Sequence, residues 1–215
     1  MHWKSPPGAS PAASERDGPM VIVSQSSDTS GLYGFASDLG PEIDVPTAAW
    51  ICAGIQPGEA PARPPKECAA MLHRAKTSDG AIVAFVPCVV GSCAVALVRD
   101  RKVTSIHIDG LTSAHLIAID ARPMLMVWTR WVHDGGNRTG GSLVPIDLAG
   151  PAPVAQAAIS LDEVDARDAE KVSSRSVRMA ITGAVVHLTG ERREVVRKDG
   201  RELARAPIDE THPLR

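Results

Sequence analysis

Aromatic side chains are nearly missing from this chain: two Phe, one Tyr and four Trp amount to 3% of 215 residues. So few rings leave little to stack on bases or sugars, and any core must rest on Val, Ile, Leu and Ala. An excess of one charge sign is lacking too. With 23 Lys and Arg against 25 Asp and Glu, the formal charge of −2 gives no electrostatic reason for a nucleic-acid or anionic-membrane partner. No Gly-x-Ser-x-Gly elbow, His-Glu-x-x-His helix, dinucleotide fingerprint or phosphate-binding loop occurs, which lowers the case for an enzyme without closing it. There is no Cys-x-x-Cys, and no His stands at ligand spacing from a cysteine, so neither a metal nor another cofactor is expected.

A long uninterrupted hydrophobic helix is the last absence. Residues 81–98 (AIVAFVPCVVGSCAVALV) carry no charge, but Pro87, Gly91 and Ser92 stand in the middle and favour a turn. A buried hairpin is expected there, and no integral membrane insertion.

What is present reads as β-structure. Strands are expected at 20–25, 32–36, 81–86, 93–98 and 102–109. A meander follows in AHLIAID, PMLMVWTRWV and SLVPIDL, then strands at 176–182, 184–188 and 194–198, with a hairpin turn at Asp199-Gly200. Five apolar stretches close in Ile-Asp, at 43–44, 108–109, 119–120, 146–147 and 208–209, and these are expected to mark strand ends where the aspartate caps a turn. Repeated antiparallel hairpins and meanders at uneven intervals resemble a β-propeller layout, with a β-sandwich as the alternative. Two short helices are expected to interrupt them. Residues 65–76 place Cys68, Met71, Leu72 and Ala75 on one stripe, and residues 160–172 open with the capping-box pattern Ser160 to Glu163. The acidic run from Asp162 to Glu170 then reads as a solvated helix face.

The segment Met1 to Pro19, rich in Pro, Ser, Ala and Gly, reads as a disordered leader ahead of a single β-rich domain over 20–215. Because it has no apolar run, it is no signal peptide. The four cysteines fall into two local couples. A turn between Cys88 and Cys93 brings them within disulfide reach, and Cys52 is left to meet Cys68 on the expected helix; four buried thiols are the alternative. Paired cysteines favour an oxidising compartment, hence a secreted or periplasmic protein whose signal has been removed, against a cytoplasmic one.

Candidate chemistry gathers at the loop His133 to Gly141. Its glycines let the backbone approach a ligand, Arg138 offers a planar cation, and His133, Asp134 and Asn137 offer polar groups. Trp128 and Trp131 are an odd number apart and so face opposite ways on one strand, leaving Trp131 as an anchor for a partner. His107 and Asp109 share one strand face, and with His187 they make a weak catalytic set. The expected function is a non-catalytic extracytoplasmic binding module that recognises a protein or cell-envelope component through its loops. The alternatives are a hydrolase with a His/Asp site at one end of the strands, and a structural subunit of a larger assembly.

Overall fold

The computed structural model describes residues 20–22, 72–85, 92–100 and 102–215. Within them the chain is built of antiparallel strands: β1 (Met20–Ile22), β2 (His73–Lys76), β3 (Ile82–Phe85), β4 (Ser92–Arg99), β5 (Lys102–Asp109), β6 (Leu111–Ile119), β7 (Arg122–His133), β8 (Arg138–Asp147), β9 (Val154–Ala155), β10 (Ile159–Asp165), β11 (Lys171–Thr182), β12 (Val185–Val196) and β13 (Glu202–Pro213). No α-helix occurs among the described residues. The contacts divide the chain into two compact units. The described part of one holds β1, Arg130–Val144 and Ala157–Arg215; that of the other ends at Thr129 and adds Pro145–Gln156.

In the unit that ends at Thr129, β2, β3, β4 and β5 form a four-stranded antiparallel sheet in that order. The uncharged stretch supplies its centre: Ile82 lies opposite Val98, and Phe85 opposite Val95. Every residue from Cys93 to Val98 is buried, so β4 is covered on both faces, which is why its sequence shows no polar alternation. Ala84, Ala94, Ala96 and Val98 pack with Leu72 on one side. At the turn after β2, the buried Thr77 hydroxyl donates to the Ala81 carbonyl at 3.0 Å.

The β6–β7 hairpin closes with Ile119 opposite Arg122, so Asp120 and Ala121 alone make the turn, at φ of 48° and 64°. Two central residues with positive φ match the right-handed twist of the strands, but a Cβ is disfavoured there. Ala121→Gly is therefore expected to raise the unfolding free energy by about 0.5 kcal/mol, the relief of left-handed strain exceeding the entropy glycine adds to the unfolded chain. Urea denaturation measures it, and an unchanged midpoint would contradict the assignment.

In the other unit, β11, β12 and β13 form a long meander beside β10, which pairs in turn with residues 138–143 of β8. β11 and β12 stay in register over Lys171 to Thr182. Val177, Met179 and Ile181 on β11, Val186 and Leu188 on β12, and Ile208 on β13 are buried, and the register sets Met179 opposite Leu188 and Ile181 opposite Val186. Opposite Val177 the row carries Gly190, against which the β11 backbone closes so tightly that a Cβ would lie 2.7 Å from the Val177 Cα. β13 ends the sheet order, with Pro207 opposite Glu191 and Pro213 opposite Val185.

Both expected helices need correction. Residues 160–165 belong to β10, where Ile159 and Leu161 are buried in alternation and Glu163 bonds Arg138 instead of a helix N-terminus. Residues 73–76, the end of the other expected helix, form β2 against β3; Cys68 and Met71 lie outside the described residues. In each case cross-strand pairing outweighed a thin helical stripe. Ile-Asp does close β5, β6 and β8, and Asp147 accepts the Ala149 N–H at 2.9 Å. Ile208-Asp209 instead lies mid-strand in β13, and Ile43-Asp44 falls outside the described residues. The expected strands at 184–188 and 194–198 prove to be one, β12, and the Asp199-Gly200 turn follows it with Gly200 at φ 71°. The expected leader and the strand at 32–36 also lie outside the described residues.

Candidate functional site

The unit that contains β10 to β13 presents a polar region on the same sheet face as its core. Register fixes two cross-strand rows. One runs Gly140, Glu163, Arg175, Arg192, Ala206, and the next runs Arg138, Asp165, Ser173, Glu194, Ala204. The β7–β8 connection brings Trp131 and His133 alongside. It is far shorter than the glycine-rich segment suggests, because β8 already begins at Arg138, leaving Asp134 to Asn137 as the loop. Asp134, Gly135 and Gly136 all take positive φ, and the Asn137 side chain donates to the Asp134 carbonyl at 3.0 Å.

Gly140 serves a different purpose from loop freedom. A Cβ there would meet the Trp131 ring and would lie 2.6 Å from the Asp162 carbonyl, so the indole packs against bare backbone. The Arg138 guanidinium sits 5.3 Å from the Trp131 centroid, and the His133 ring stacks on the indole at 5.1 Å. Arg138 Nε also donates to Glu163 at 2.7 Å, which fixes the cation over the ring.

Beyond Glu163 the charges continue. Arg167 bonds Asp165, with Nη2 at 2.5 Å from Oδ2, and lies 3.8 Å from Asp134. The hydrogen bond from Arg167, helped by the nearby positive charge, holds the Asp165 carboxyl down to about 2. Lys171 pairs with Glu194 at 3.0 Å. Asp165, Arg167, Asp168, Lys171, Ser173 and Glu194 line an open depression of about 470 Å³. On the opposite sheet face, burial pushes the Asp162 carboxyl up against the pull of Arg130, which is 4.0 Å away.

No family model, curated protein or solved structure matches this chain. The chemistry of the site follows from its own residues. It offers one aromatic plane, guanidinium forks and carboxylates in alternation, the means to hold a polar partner by stacking and charge-assisted hydrogen bonds.

Trp131, His133, Asp134, Asn137 and Arg138, the binding residues expected from the sequence, all stand at this one hairpin. The expected catalytic residues are divided between the two units. His107 and Asp109 share an exposed face of β5 in one unit, whereas His187 is half-buried on β12 in the other, between Ala180 and Thr211. Among the described residues, no group of three or more His, Cys, Asp and Glu could hold a metal ion. Trp128 is buried, edge-on to His115 at 5.2 Å. Cys93 is buried and is not a free thiol; Cys52, Cys68 and Cys88 fall outside the described residues. No helix among the described residues is long and apolar enough to cross a membrane.

Sequence reasoning missed Glu163, Asp165, Ser173, Arg192 and Glu194 as parts of this surface. The signal was available: read at period two instead of 3.6, Glu163 and Asp165 face the same way and oppose Gly140 and Arg138.

Proposed function

We propose that this protein is a non-catalytic binding module outside the cytoplasm, and that it recognises a protein or cell-envelope component with the face built around Trp131. The observation that carries this reading is the assembly of Trp131, His133 and Arg138 into one stacked group beside the charged depression. An indole held by a rigid sheet offers contact area at little conformational cost, and flanking ion pairs supply direction. The compartment is part of the proposal. Cys93 being bonded favours it, with Cys88 as the proposed partner. The propeller-like packing of successive meanders also belongs to the proposal.

The test is co-sedimentation of the purified full chain with cell-envelope fractions of its own source. Trp131→Ala with Arg138→Ala is expected to weaken retention at least tenfold, about 1.4 kcal/mol. Equal retention of both proteins, with native far-UV circular dichroism, would reject this face as the binding surface.

A further inference from the structure

We propose that the same face holds an anion subsite at Arg192, which takes a carboxylate or phosphate group of the bound partner; this rests on the reading of that face as the binding surface. β11 and β12 set Arg175 and Arg192 directly opposite each other, so two guanidinium groups leave one cross-strand pair on one side of the sheet. Like charges so placed repel. Arg175 is neutralised by two bonds to Glu210, at 2.9 and 2.8 Å. Arg192 is exposed and forms no ion pair among the described residues. Its neighbours on β12 contrast with it: Glu191 pairs with Arg193 and Arg205, and Glu194 pairs with Lys171.

Two further observations point the same way. The rows continue onto β13 as Ala206, opposite Arg192, and Ala204, opposite Glu194, so short side chains leave room beside the guanidinium. Arg175 Nε is buried and has no acceptor, so the Arg pair contains a donor that internal bonds leave unused. A planar oxyanion is the complement of these groups. It accepts two N–H bonds from one guanidinium fork and offsets the charge of Arg192, which no carboxylate among the described residues balances.

The experiment is a nuclear magnetic resonance titration of the full chain, following the arginine Nε–H signals with inorganic phosphate and, separately, acetate. A saturable shift at Arg192, accompanied by one at Arg175, is expected with at least one of them, and their relative strength distinguishes a phosphate from a carboxylate source. In Arg192→Ala the Arg175 response should weaken at least tenfold, and in Arg192→Lys by a smaller factor, because the fork is lost but the charge is kept. Arg178→Ala, an exposed cation on the other face of β11, should leave the response as in the wild type. No saturable shift with either anion, or an unchanged response in Arg192→Ala, would overturn the subsite. Trp131→Ala separates the two readings: envelope retention unaffected by it, with the anion response intact, rejects the module surface and leaves the subsite standing.

Discussion

Gly190→Ala is expected to destabilise the unit that contains β10 to β13 by roughly 3 kcal/mol, seen as a lower urea midpoint at unchanged m-value. Removing a glycine ordinarily stabilises a strand by trimming the unfolded ensemble, by about 0.4–1 kcal/mol, so the sign here is diagnostic. The added Cβ would fall 2.7 Å from the Val177 Cα, and the atoms it meets are backbone, which cannot rotate aside. Relief requires β11 and β12 to part in the middle of a continuous ladder that buries Met179, Ile181, Val186 and Leu188. Gly183 is the control: its surroundings are open, and it only takes φ of 55°, so Gly183→Ala should cost about 1 kcal/mol. Equal effects at the two sites would contradict the close approach.

Arg175→Met should cost about 2 kcal/mol near pH 7 and should also change how stability depends on pH. The Arg175 side chain is 9% exposed, while that of Glu210 is 40% exposed, so a Glu210 left alone recovers water and the loss stays below that of a fully buried pair. The hydrogen bonds and charge of Arg175 bring the Glu210 carboxyl from 4.5 to about 2. A depressed folded pKa means that this contribution is complete above the unfolded value and fades as pH falls from about 4.5 towards 2. The wild type should lose that increment over this window, and Arg175→Met should not. Denaturation curves collected at pH 6, 4 and 2.5 measure the difference, and parallel pH profiles would show that the pair contributes nothing.

The elements legible in the sequence were those whose pattern had one physical cause. The β6–β7–β8 meander shows because buried runs such as Met124 to Trp128 are bounded by short turns, and Asp199-Gly200 shows because its turn needs positive φ. β12 was hidden between Thr189 and Arg193, where polarity reflects cross-strand ion pairs, with Arg205 reaching Glu191 at 2.7 Å, and not a loop. β10 was misread because Ser160 and Glu163 imitate a helix cap, although Glu163 is committed to Arg138. The site was half legible. The residues near the β7–β8 loop announced themselves by composition, but Glu163, Arg175 and Arg192 join them through register, which no local pattern encodes.

Pro207 and Pro213 stand on the terminal strand of the sheet, both facing β12 through their register partners Glu191 and Val185. Since proline has no N–H and the ladder to β12 runs on past Pro207, the vacant donor positions turn outward, to the side where another chain would pair. The long outer border is thus interrupted as a template for further strands, and crowded molecules are kept from stacking edge to edge into fibrils.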